Sequence, residues 1–463
     1  MEDDLKLLSH LLNRAGFGLT PELQKRFEGK EMTTVVDDLF KDSATIQDLL
    51  FLPKPKTDDK GEVRPLKVVG LVLKAQQQKE LLNLAWIDRM TVAKAQLREK
   101  MTLFWHNHFA TSGNFAWLSQ VQHNTLRHLA LGNFRELLHA ISKDPAMILW
   151  LNNQENKKDA PNENFAREVM ELFTLGEGNG YTENDIKQAA RAFTGWKVNQ
   201  KGEFEFNPKT HDFEEKEVFG KKGNFDGDDI INLLLDKPQL AEFICRKIYK
   251  WFVNTEIDEE RVKEMANRFR SNDYDIGDLM KTVFVSDWFY EDKNVGCLIQ
   301  SPVELIVRLK KLCKLEVDDD QMIALQQVLG QTLFLPPNVA GWKGGRAWIN
   351  ASSLVQRLHI PKAMIDSKTV RLNKKPAFEE EGKQDLSTDK KANVKSDWTL
   401  LVNHFSSVDE NQLTEKVIQF FITAPNDRID RKLIEKTIDT SSKQRRIITT
   451  VAAVMQTPEY QII

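Results

Sequence analysis

The chain has 463 residues, 41% hydrophobic and 29% charged, and its 65 basic and 68 acidic side chains leave a net charge of −3. That length suits one large domain or two to three smaller ones, and a core of this size needs no disulfide staples. The near-neutral balance argues against a dedicated nucleic-acid binder, and no apolar run approaches the ~18 residues of a membrane-spanning helix.

Met1 is followed by Glu2, Asp3 and Asp4 rather than by a basic and then apolar leader. The chain as it stands therefore reads as cytoplasmic, or as periplasmic or exported if a leader has been trimmed. Leu5, Leu8, Leu11 and Leu12 recur at helical spacing until Gly16 and Gly18, and Thr20-Pro21 has the form of a new helix start. Pro53–Lys67 is polar and proline-bearing and reads as a loop. Helical regions follow over Val68–His108 and Leu118–Ile141, and Thr182 caps another that runs to Phe193. Residues 197–227, with alternating Phe204 and Phe206 among glycines and charges, predict a long loop or short hairpin. Helix resumes over Asp228–Leu335 and gives way to the Gly/Pro/Trp-rich Pro336–Trp348. Asp366–Ser396 is charged and nearly free of large apolar groups, which predicts a mobile insertion.

The expected fold is mainly α: a large multi-helix globular domain with long loops and at most a small β element. Its expected division is a main domain 1–365, the insertion 366–396, and C-terminal helices 397–463 packed on the main domain. No repeat of fixed period is present. Cys245, Cys297 and Cys313 are too few and too scattered for a disulfide framework and read as inert core residues.

Several collinear segments form a set: Asn13-Arg14-Ala15-Gly16-Phe17-Gly18, Leu97-Arg98-Glu99-Lys100-Met101 running into Phe104-Trp105-His106-Asn107-His108-Phe109, and Ala130–Glu136. Pro161–Glu168 with Glu171–Gly176, Ala190–Trp196, His211-Asp212, Pro336–Val339 and Gly341-Trp342 complete it. Together they resemble the bacterial "domain of unknown function 1800" family over nearly the whole chain. The resemblance implies an exported protein with a sulfatase-like partner, from which the acidic start of this chain departs.

Trp105-His106-Asn107-His108 is the sharpest candidate for chemistry. Imidazoles two apart ligate one divalent ion, zinc, iron or manganese, if the backbone leaves the helix there. In a regular helix they point about 200° apart, and the plainer reading is one buried and one exposed histidine. Asn164, Glu168 and Glu171 line one helical face, with Arg167 on the same turn. These carboxylates read either as ligands or a general base beside the histidines, with Arg167 fixing a carboxylate or anion, or as a solvated face. His211 and Asp212 sit in the irregular 197–227 segment and are further candidate ligands, with a capped turn as the alternative. Trp342 and Trp348 are candidates to stack on a flat ligand, or else pack their loop onto the core.

No phosphate-binding loop, dinucleotide fingerprint, nucleophile elbow or haem-attachment motif is present. Two functions follow from these readings. One is a metal-dependent hydrolase or oxidoreductase with a His/carboxylate site, acting on an envelope or extracellular polymer. The other is a non-catalytic binding or assembly protein in which the same motifs are helix caps and hydrogen-bonded locks. The first expects His106, His108, Glu168 and Glu171 to converge, with His211 or Asp212 approaching from the loop.

Overall fold

The opening leucines form the helix Glu2–Arg14, and Thr20 starts the next, Pro21–Phe27, by accepting a hydrogen bond from Leu23 N at 3.3 Å. The computed structural model describes residues 2–53, 68–113, 115–365, 369–372, 390–425, 427 and 429–463. Among these are twenty-one α-helices and six short strands, the helical class that the periodicity predicts. No described helix is long and apolar enough to cross a membrane.

The region read as helical from Val68 to His108 is two helices, Val68–Val92 and Gln96–His108. The break is stabilised by the Gln96 side chain, whose amide donates to the freed Met90 carbonyl at 3.1 Å. The segment read as a loop or hairpin over 197–227 holds, with Trp196, two antiparallel ribbons, Trp196–Val198 with Phe204–Phe206 and Lys216–Val218 with Lys221–Gly223. The helix expected from Asp228 starts earlier: Asp226 is its cap, in a reciprocal capping box with Asp229, while Asp228 is held by His139 and Lys143.

Within the stretch read as a mobile insertion, Thr369–Leu372 pairs antiparallel with Lys390–Asn393. Ala392 and Val394 are buried, so its C-terminal flank joins the core through alternate side chains of an extended segment. Residues 366–368 and 373–389, and residues 54–67 of the Pro53–Lys67 loop, lie outside the described residues.

One contiguous apolar core runs from Leu8 to Tyr460. At its centre is Gln96–His108, in which every residue but Asn107 is buried, packed on Met32–Asp42 and Ala116–Leu129. A helix buried on all sides is ordinarily apolar throughout, yet this one carries Arg98, Glu99 and Lys100 inward. Each is compensated. Arg98 Nε donates to Ser43 O at 2.7 Å, and Glu99 accepts from Trp86 Nε1 at 3.0 Å and pairs with Arg127. Lys100 donates to the Asn13 and Gly16 carbonyls at 3.0 Å each and pairs with Glu304. Buried charges survive only with such partners.

Candidate functional site

The C-terminal turn of the central helix fastens three other parts of the chain. Because the helix continues regularly to His108, its last three side chains diverge. His106 Nε2 accepts from Phe334 N at 3.1 Å, and the ring packs against Trp86 and Phe334. Asn107 holds both backbone groups of Trp342: its Oδ1 accepts from Trp342 N at 2.7 Å and its Nδ2 donates to Trp342 O at 3.4 Å. Gly341 makes this approach possible. Its φ is 73°, and a Cβ there would lie 2.3 Å from Asn107 O.

His108 faces a different neighbour. The helix Asn164–Glu168 widens into a π-helix over Val169–Thr174, the kind of irregularity that frequently marks functional sites. Two carbonyls of this wide turn, Leu172 O and Phe173 O, receive side-chain donors. His108 Nε2 stands 3.2 Å from Phe173 O, and Lys247 Nζ stands 3.2 Å from Leu172 O and 3.1 Å from His108 Nδ1. A carbonyl can only accept, so Nε2 of His108 carries the ring proton and Nδ1 accepts from Lys247. Burial and then the Lys247 charge hold His108 well below its ordinary pKa, and burial alone takes His106 down to about 3. Both rings are neutral near pH 7. Burial, aided by the Lys250 charge, lowers Lys247 to about 8.

His108 and Lys247 border a cleft of about 360 Å³. One wall is a single face of the helix Pro238–Phe252: Phe243, Arg246, Lys247, Lys250 and Trp251 recur at three- and four-residue spacing. Phe104, Asn107 and His108 form the second wall. The loop carrying Trp342, Lys343 and Trp348 forms the third, and Thr255, Leu298, Ile299, Ser301, Glu304 and Ile463 are also on the lining. Lys250 and Lys343 are exposed. Arg246 pairs with Glu259, its Nη2 lying 2.6 Å from Oε2. Glu304 is already occupied by Lys100 and by the Ser301 amide, 2.7 Å away. Four cationic side chains therefore line the cleft, Arg246 among them already paired with Glu259, against the one lining carboxylate side chain, Glu304, with the chain-terminal Ile463 also on the lining.

The other anticipated residues lie in separate networks. Arg167 is the centre of an ion-pair cluster, bonding Glu171 at 3.2 Å, Glu163 at 3.2 Å and Glu183 at 3.0 and 2.7 Å. Glu168 is partly buried, and burial and then the Glu171 charge raise its pKa. Asn164 Nδ2 donates to Leu151 O at 2.9 Å and so ties its helix to the preceding turn. His211 sits between Phe206 and Phe213 with Nδ1 2.8 Å from Thr194 O, and Asp212 receives Arg191 Nε at 2.6 Å. Trp342 and Trp348 do border the cleft, but each is only 6% exposed, so they shape its wall rather than offer free indole faces.

The anticipated metal set is His106, His108, His211 and Asp212. Each has donor atoms committed to protein partners. Among the described residues no group of three or more His, Cys, Asp or Glu side chains is placed to hold a metal ion. The two histidines diverge because the helix does not end between them. His106, His108, Glu171, His211 and Asp212 are each bonded to partners outside this set. Cys297 also departs from the core reading: it is only partly buried, with Sγ 3.1 Å from Asn294 O. Arg246, Lys247 and Lys250 went unremarked in the sequence, although Phe243, Lys247 and Trp251 at i, i+4 and i+8 signal a mixed basic and aromatic face.

Fold and site define a large α-helical protein with a basic, aromatic-walled cleft at the end of its buried central helix. The model of the family described as protein of unknown function (DUF1800) matches residues 10–462, and the chain belongs to that family. No curated protein and no solved structure matches it.

Proposed function

We propose that this protein binds an anionic, sugar-like ligand in the cleft. The observation that carries this reading is one helical face that sets Arg246, Lys247 and Lys250 beside Phe243 and Trp251, in a chain whose net charge is −3. A concave site lined with one sign of charge concentrates the opposite sign, and its apolar walls strengthen the attraction. The resemblance to exported proteins with sulfatase-like partners makes sulfated and uronic oligosaccharides the first ligands to try.

Isothermal titration calorimetry against sulfated, uronic and neutral oligosaccharides tests the reading. The charged ligands should bind more tightly, weaken as salt rises, and lose about tenfold, roughly 1.4 kcal/mol, when Lys250 and Lys343 are both changed to alanine. Equal binding of neutral sugars, or no loss in the double variant, would overturn it.

A further inference from the structure

The cleft contains one amine whose surroundings differ from those of a surface lysine. We propose that Lys247 captures a carboxylate- or sulfate-bearing aldehyde or ketone as a reversible imine, a chemistry that rests on the anion-binding reading of the same cleft. A neutral primary amine has two N–H bonds and one lone pair at tetrahedral angles. Lys247 Nζ has two acceptors in range, His108 Nδ1 at 3.1 Å and Leu172 O at 3.2 Å. With both N–H groups held there, the lone pair is the one free direction on a residue that borders the cleft.

The tautomer of His108 is set on its far side, because Phe173 O, 3.2 Å away, accepts the only ring proton. Nδ1 is therefore always an acceptor towards Lys247, and His108 is a positioning residue. Phe243 lies under the amine, 4.8 Å from ring centroid to Nζ. Desolvation and a neighbouring cation are the two recognised means of keeping a lysine nucleophilic near neutral pH, and Lys247 has both, burial first and Lys250 second. The titratable and charged groups on the cleft with it are Arg246, paired with Glu259, and Lys250 on its own helix, His108 from the central helix, Lys343 from the loop, Glu304, and the chain-terminal Ile463.

The step balances without a further reagent. The lone pair forms a C–N bond as the carbonyl π pair moves to oxygen. The C–O bond then breaks, and the oxygen leaves as water with the two amine hydrogens, giving the imine. Lys250, about one turn further along the helix, would hold the anionic group of the ligand, and Arg246, the residue before Lys247, would add to the field while paired with Glu259.

The test is reductive trapping of the full-length protein with sodium cyanoborohydride and glyoxylate or glucuronate, propanal serving as the uncharged comparator. Peptide mapping should place the adduct mainly on Lys247, at least tenfold above the mean of the exposed lysines. Its rate should rise through about pH 8, well below the range of those lysines. Lys247→Arg should abolish it, and His108→Phe should lower the rate and displace the pH profile. Labelling of the wild-type protein that spreads over exposed lysines, with Lys247 taking no more than its share, overturns the proposal whether or not the variants fold. If sulfated sugars bind but Lys247 is not trapped, the imine chemistry fails and the binding reading stands. Trapping by propanal as fast as by glyoxylate, unaffected by sulfated sugars, leaves a reactive amine and removes the anion-binding reading beneath this proposal.

Discussion

Asn107 joins the central helix to the Trp342 loop through both ends of its amide, and the histidines either side of it serve as acceptors for Phe334 N and Lys247 Nζ. Such residues act through where their polar atoms are pinned. Asp144 is a second case and gives a pH prediction. It caps the helix Pro145–Trp150 by accepting from Met147 N at 3.1 Å, and it receives Gln122 Nε2 at 3.0 Å. Burial raises its pKa from 3.8 to about 7, against the opposing pull of those hydrogen bonds. A folded-state pKa above the unfolded one means that the stability tied to the bound proton is complete below about pH 4 and is lost as pH rises through about 7. Asp144→Asn cannot ionise, so it should gain on the wild type across that window, by about 1.4 kcal/mol for each unit of pKa difference. Denaturant midpoints measured from pH 4 to 8 check this. A gap between the two proteins that stays constant over that range would contradict it.

At the scale of elements, the helix Gln96–His108 is held by charge pairing as much as by apolar packing. Lys100 reaches Glu304, 204 residues further along, and also the Asn13 and Gly16 carbonyls. Removing one member of a buried pair strands the other, which costs about 3–5 kcal/mol. Lys100→Met should therefore be destabilising by that order, and adding Glu304→Gln should recover part of the loss because the stranded charge is gone. A double-mutant cycle by chemical denaturation should show coupling above about 1 kcal/mol, whereas additivity within about 0.5 kcal/mol would mean that the pair is not coupled. The π-helix Val169–Thr174 belongs to the same scale, since its Leu172 and Phe173 carbonyls are the acceptors that orient Lys247 and His108.

Over the whole molecule, distant parts of the chain complete one another. The helix Glu2–Arg14 packs on Leu413–Phe421, and Lys443–Met455 packs on Ala351–Ile365. Leu298 and Ile463 exchange backbone hydrogen bonds at 3.1 and 2.8 Å, and the buried Arg308 guanidinium donates to Phe421 O at 3.1 Å. Deleting residues 397–463 would expose the apolar surface under these helices and leave Arg308 without that acceptor. The shortened chain should lose its near-ultraviolet circular dichroism and aggregate, and co-expression of 397–463 as a separate piece should restore solubility. A shortened chain that stays soluble with native near-ultraviolet signal would show that the last helices are dispensable to the core.

The sequence alone determined what depends on neighbours within a few residues. Leucine spacing in Glu2–Arg14, the caps at Thr20 and Thr182 and the strand alternation at Phe204 and Phe206 are local physics, readable from periods of 3.6 and 2 and from side chains that bond their own backbone. So is the family, through motifs collinear with residues 10–462. The cleft is not readable in this way, although His108, Trp342 and Trp348 each stand out in the sequence. Its walls come from residues 104–108, 243–255, 298–304, 340–348 and 463, brought together by folding. Which way His106 and His108 turn depended on whether the helix ended between them, and what Arg98, Glu99 and Lys100 pair with depended on which segments packed around it. A side chain's chemistry is written in its letter, but its protonation and partners are set by burial and by contacts hundreds of residues away, and these only the tertiary structure decided.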